Sequence, residues 1–156
     1  MAGELQEGAK APPFKLVADN GENIALADFK GKKLVIFFYP RADTPGCTRE
    51  SIAFSALKKE FAKADTEVIG ISADPVNAQG AFKKKHGLKV PLVSDETKKT
   101  IQDYGAWGER SMYGRKFMGI VRTTVLIGPD GRVARLWPKV KVDGHAEEVL
   151  EATKAL

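Results

Sequence analysis

Lys33-Leu34-Val35-Ile36-Phe37-Phe38-Tyr39 is the strongest apolar run in the chain, closed by Pro40 and followed at once by Arg41-Ala42-Asp43-Thr44-Pro45-Gly46-Cys47-Thr48-Arg49-Glu50. A continuous β-branched and aromatic run of this length suits a central strand covered on both faces. The segment beyond it changes period. From about Pro45 to Ala64 the apolar residues Ile52, Phe54, Leu57 and Phe61 fall mostly three or four apart, which predicts one long helix. Cys47, the only cysteine of the chain, therefore stands between a buried strand and the first turn of a helix. Unpaired backbone N–H groups and the positive end of the helix dipole favour a thiolate at such a place. Its neighbours are Pro, Gly, Thr and Arg rather than core aliphatics, which reads as a reactive thiol rather than an inert one.

Working outward, the chain alternates strands and helices with no linker, internal repeat or low-complexity segment. Phe14–Val17 and Ile24–Leu26 around Asn20-Gly21 predict a short N-terminal hairpin. Val68–Ser72 is a second buried strand. Asp74 then reads as a helix N-cap, Pro75 as the first helical position and Gly87 as the stop. Pro91–Ser94 predicts a short strand and Thr97–Tyr104 a short helix, whereas Gly105–Gly119 reads as a Gly-rich surface loop. Thr123–Ile127, the turn Pro129-Asp130-Gly131 and Val133–Trp137 form an antiparallel hairpin, and Ala146, Val149, Leu150 and Thr153 share one face of a terminal helix. The expected fold is α/β: a mixed sheet flanked by helices, in one domain spanning residues 1–156.

Composition narrows the function classes. The chain has 156 residues, 43% of them hydrophobic, enough for one domain with a substantial core. A single cysteine allows no intrachain disulfide, and Met1–Ala11 carries two Glu and no apolar h-region, so cytoplasmic residence is expected. No apolar stretch approaches the ~20 residues that span a bilayer, and no membrane partner is expected. The formal net charge is +5, from 25 Lys and Arg against 20 Asp and Glu. The basic residues form short groups interleaved with acids, and no nucleic-acid-binding motif accompanies them, so nucleic acid is not an expected partner. His86 and His145 stand far apart with no second cysteine, so neither a metal site nor any other cofactor is expected. A dithiol oxidoreductase needs Cys-x-x-Cys, and position 44 is Thr.

Pro40-x-x-x-Thr44-x-x-Cys47 resembles the active-site signature of the peroxiredoxins, and Thr44-Pro45-Gly46-Cys47-Thr48 with Glu50 resembles the bacterioferritin comigratory protein, or peroxiredoxin Q, branch. Further blocks carry the likeness along almost the whole chain: Gly8-x-x-Ala11-Pro12-x-Phe14, Gly70-Ile71-Ser72 with Asp74, Pro91–Asp95, Tyr104-Gly105 with Trp107-Gly108, Met112-Tyr113-Gly114, and Gly119-Ile120-Val121-Arg122-x-Thr124. The resemblance implies a thioredoxin-like fold with an N-terminal β-hairpin extension, and thiol-dependent reduction of hydrogen peroxide and organic hydroperoxides. It implies Cys47 as the peroxide-attacking thiolate and Arg122 as the cation that stabilises the developing charge. Thr44 would supply a hydroxyl to thiolate or peroxide, or alternatively cap the helix. Pro40 and Gly46 would shape the substrate pocket, and Glu50 would orient Arg122. Arg49 reads as a surface residue.

Many members of the branch this chain resembles carry a resolving cysteine five residues after the reactive one, and others carry it in the following helix. This chain has Ile52 and Phe82-Lys83 there. A sulfenic acid on Cys47 then has no intrachain partner, and resolution needs an external thiol. Thioredoxin or glutaredoxin with glutathione is the expected reductant, and a monomer is the expected state. The rival expectation is a non-enzymatic thiol sensor or chaperone on the same fold.

Overall fold

A computed structural model describes residues 5–156, so residues 1–4 of the N-terminal segment read above lie outside the described residues. The chain opens with β1 (Lys15–Ala18) and β2 (Asn23–Ala25), then a 3-10 turn over Leu26–Phe29 and strand β3 (Lys33–Phe38). Helices α1 (Pro45–Ala56) and α2 (Lys58–Lys63) lead to β4 (Thr66–Ser72), and α3 (Val76–His86) leads to β5 (Leu92–Ser94). Then follow α4 (Lys99–Asp103), β6 (Trp107–Met112), β7 (Arg115–Ile120), β8 (Thr123–Ile127), β9 (Val133–Trp137) and α5 (His145–Ala155).

Seven strands form one sheet in the order β2-β1-β5-β4-β3-β8-β9. β3 pairs parallel with β4, and β4 with β5, through helical crossovers. β8 runs antiparallel to β3 on the other side, with β9 beyond it. The N-terminal hairpin is appended through β1, antiparallel to β5. This is the mixed sheet and hairpin extension that the sequence leads one to expect.

The period of two in β3 divides the interior. Leu34, Ile36 and Phe38 enter one apolar cluster with Ile69, Ile71, Val125 and Tyr104. Val35, Phe37 and Tyr39 enter the other, with Cys47, Phe54, Phe61, Phe82 and Val149 supplied by α1, α2, α3 and α5. Phe37 stacks on Phe54, ring centroids 4.7 Å apart, which fixes α1 directly over β3.

Three expectations need correction. The helix from Pro45 is two helices: at Leu57 the backbone departs to φ −99°, ψ 6° and its N–H turns to Phe54 and Ser55 carbonyls, a tightened turn that lets α2 swing Phe61 into the core. Ile52 lies on the outer face, 45% exposed, because residues two apart in a helix do not share a face and Phe54 takes the inner one. Second, Pro75 and not Asp74 occupies the N-cap position of α3, because the Asp74 carboxylate is already engaged elsewhere. Third, the expected loop Gly105–Gly119 contains a two-stranded ribbon, β6 paired with β7 from Trp107↔Ile120 to Met112↔Arg115. Tyr113 and Gly114 both take positive φ (52° and 78°), the geometry of a two-residue hairpin turn.

Candidate active site

Pro40 ends the strand, and the chain crosses the carboxyl end of the sheet to enter α1 at Pro45, whose missing N–H costs nothing at the first helical position. Cys47 lies in that first turn, 1% exposed, against the β3 face of the core. No side chain caps the helix. Thr44 holds the extended N-cap backbone and its carbonyl accepts from Thr48 N–H at 2.8 Å, but its hydroxyl donates to the Arg41 carbonyl at 2.8 Å. The hydroxyl therefore bonds neither the helix N–H groups nor the Cys47 sulfur.

Arg122, just before β8, reaches the thiol from across the sheet. Antiparallel pairing of Phe38 with Thr123 brings the two chain segments together, although they are far apart in sequence. Its Nη2 donates to Cys47 Sγ at 3.3 Å and its Nη1 to Glu50 Oε1 at 2.7 Å. The guanidinium side chain is 17% exposed and Glu50 only 1%. Burial works against the charge of Arg122, but Glu50 and Cys47 outweigh it and hold its proton more firmly than usual. Glu50 is governed by burial, which raises it to about 7 although Arg122 pulls the other way; its Oε2 is buried without a partner. Gly46 has a concrete reason to be glycine. A Cβ there would stand 3.1 Å from Arg122 Nη2, inside ordinary contact distance. Pro40 is half-buried beside the turn, and Arg49 points outward to Asp143 at 2.7 Å.

A second group of residues, which sequence reasoning did not single out as a unit, holds the 40–46 segment. Asp74 accepts from Ala42 N–H at 2.8 Å and from Ser72 Oγ–H at 2.6 Å. Gln79 on α3, fully buried, donates to Ser72 Oγ at 2.8 Å and to the Val93 carbonyl at 3.1 Å, while the Tyr39 hydroxyl donates to its Oε1. At the far end of α3, Asp43 bonds Lys85 and His86 at 2.9 and 2.8 Å. Asp43 itself has φ 60°, a conformation that Asp tolerates better than most residues. The available signals were Ser72 and Asp74 within a quoted block; Gln79 carried none, since a lone Gln in a helix is ordinary.

The AhpC/TSA family model matches residues 8–136. Peroxiredoxin Bcp of Bacillus subtilis is 40% identical over 150 residues, covering 96% of each chain. Peroxiredoxin Bcp of Xanthomonas campestris is 43% identical over 140 residues, 90% of this chain and 88% of that one. The chain is a peroxiredoxin of the AhpC/TSA family. A solved structure of the Xanthomonas campestris bacterioferritin comigratory protein, from work on its alkyl peroxide reduction activity, superposes with a TM-score of 0.88 at 40% identity over 98% of both chains. The peroxiredoxin fold is thus thioredoxin-like, and the protein is a thiol-dependent peroxidase of the Bcp, or peroxiredoxin Q, branch. Within this peroxiredoxin Cys47 is the one thiol, and positions 52, 82 and 83 hold Ile, Phe and Lys.

Proposed function

We propose that Cys47 carries the peroxidase reaction as a one-cysteine cycle. The observation that carries this reading is the Arg122 guanidinium, which bridges the Glu50 carboxyl group and a sulfur that is itself buried in an apolar cluster. The Cys47 thiolate attacks one peroxide oxygen; the S–O bond forms, the O–O bond breaks, and the leaving alkoxide or hydroxide takes a proton to depart as alcohol or water. Arg122 stabilises charge as it moves from sulfur to the distal oxygen, and a preorganised donor in a dry site contributes more than in water. Glu50 fixes the plane of the guanidinium through a charge-assisted bond. Gly46 leaves the space that Arg122 Nη2 occupies, and Pro40 bounds the pocket without an N–H to compete for the peroxide. Thr44 serves substrate once its hydroxyl turns from the Arg41 carbonyl.

An external thiol then attacks the Cys47 sulfenic acid, giving a mixed disulfide and water, and a second thiol releases Cys47 by exchange. Thioredoxin, or glutaredoxin with glutathione, is the reductant we assign, acting on a monomer in the cytoplasm. Hydrogen peroxide and organic hydroperoxides are the substrates. The test is steady-state peroxide consumption with thioredoxin, glutaredoxin plus glutathione, and a small dithiol side by side. Turnover with at least one of them, abolished in Cys47→Ser with an unchanged far-ultraviolet spectrum, supports the cycle. Oxidation that stops after one equivalent with every reductant, or persistent turnover in Cys47→Ser, overturns it.

A further inference from the structure

Seven large apolar side chains are exposed among the described residues, and four of them lie in the β6–β7 ribbon. Tyr113 is 98% exposed at the turn, Met118 56%, Met112 51% and Phe117 42%. The pairing divides them between two faces. Met118 shares a face with Glu109 and Lys116, while Met112 and Phe117 share the other with Arg110 and Arg115. A single protein partner lying on this ribbon would cover one face and leave the other wet. Immersing the tip in a membrane interface covers both faces and the turn together.

The charges complement that reading. Arg110, Arg115 and Lys116 stand against one acid, Glu109, which reaches Lys116 at 3.9 Å. Among the described residues Arg110 and Arg115 have no carboxylate partner; Arg110 instead lies over the Phe117 ring at 5.6 Å. Cations beside exposed Met, Phe and Tyr fit an anionic headgroup layer over acyl chains, where Tyr and Arg are at home. The ribbon has outer edges with unpaired N–H and C=O groups, so it stops at headgroup depth and does not enter the hydrocarbon.

We propose that the β6–β7 ribbon docks the protein onto an anionic phospholipid surface. The base of the ribbon, Ile120, stands two residues before Arg122, so docking at the tip tethers the chain segment that reaches Cys47 through the ribbon's own length. This adds peripheral docking to a protein in which, among the described residues, no helix is long and apolar enough to cross a membrane, and departs from the expectation of no membrane partner.

The test is co-sedimentation of the whole protein with vesicles of phosphatidylglycerol and phosphatidylcholine, compared with phosphatidylcholine alone, at low and physiological salt. Binding to the anionic vesicles alone is expected, weakening with salt. It should fall at least about tenfold in Arg115→Glu/Lys116→Glu, given roughly 1 kcal/mol per cation near such a surface. A comparable fall is expected in Met112→Ser/Tyr113→Ser. Hydrogen peroxide turnover in free solution should be unchanged in both variants, so failure of the docking and failure of the catalytic assignment are distinguishable. No sedimentation at low salt, or sedimentation that both variants retain, overturns the proposal. Loss of turnover with a protein reductant, without vesicle binding by the unsubstituted protein, would assign the ribbon to a protein partner and equally overturn it.

Discussion

Arg122 bonds Cys47 and Glu50 with one planar group, and that geometry separates the effects of substituting it. Arg122→Ala removes the donor at 3.3 Å from Cys47 and leaves Glu50 buried with nothing to pair with. Loss of one preorganised donor costs about 10²–10³ in rate by analogy with other oxyanion sites, and the second-order rate of Cys47 oxidation should fall by that order. Arg122→Lys should also be impaired, since an ammonium cannot reach both partners with a planar fork. Wild-type rates for the alanine variant in a stopped-flow measurement would remove Arg122 from the site. Glu50 gives a prediction with a pH signature. Burial raises it from 4.5 to about 7, so between these values the folded protein holds a proton that the unfolded chain releases. Stability from this group is therefore full below about 4.5 and declines as pH rises through about 7, by on the order of 1–3 kcal/mol. Glu50→Gln removes the titration. Denaturation curves at pH 5 and 7.5 should show the wild type losing more stability than Glu50→Gln across that interval, and equal losses would contradict the assignment.

At the scale of elements, the site depends on how strands and helices are set against each other. Gly70 on β4 pairs with Phe37 on β3, and a Cβ there would come 2.7 Å from the Phe37 ring and 3.0 Å from that of Tyr39. Both rings are fully buried and held by neighbours, so neither can yield cheaply. Gly70→Ala should destabilise by about 1–3 kcal/mol through overpacking, read as a shift of the denaturation midpoint, and a neutral effect would mean that the rings have room the packing does not show. The same elements explain what was legible from sequence. β3 declared itself because both its faces are buried, and the Thr44–Glu50 motif lies next to it in the chain. Arg122 was readable only through a family motif, since its approach to Cys47 depends on the pairing of β3 with β8. The ribbon β6–β7 was hidden because its turn is Tyr-Gly rather than Asn-Gly, and because exposure on both faces erases the alternation that marks a strand. Leu57 kept helical spacing across a break, since one distorted residue barely changes a period. The Asp74 bond to Ala42, and the Ser72 and Gln79 bonds behind it, could not be read as a unit because the partners come from β4, the turn after it and α3.

For the whole molecule, the decisive fact is that one thiol sits fully buried in the first turn of an intact helix, in a chain with no second. Forming a disulfide requires the two Cα atoms within about 7 Å, which in a two-cysteine chain can demand that helices rearrange. Here α1 packs through Phe54 on Phe37, Asp43 ties the 40–46 segment to the end of α3, and Asp74 holds its Ala42 N–H. Nothing in a cycle through an external thiol requires these contacts to break during oxidation itself. The chain should therefore remain folded as the Cys47 sulfenic acid until a reductant reaches it. Intact mass after one equivalent of peroxide should rise by one oxygen, trapped by a sulfenate-specific reagent, with amide exchange in α1 and α3 unchanged. Excess peroxide without reductant should carry Cys47 on to the sulfinic acid, because no thiol within the chain competes for the intermediate. Adding a small thiol before the excess should divert it to a mixed disulfide instead. Rapid formation of a Cys47–Cys47 dimer that reduces productively would sink this cycle, for it would mean that two buried thiols emerge together and that resolution occurs between protomers.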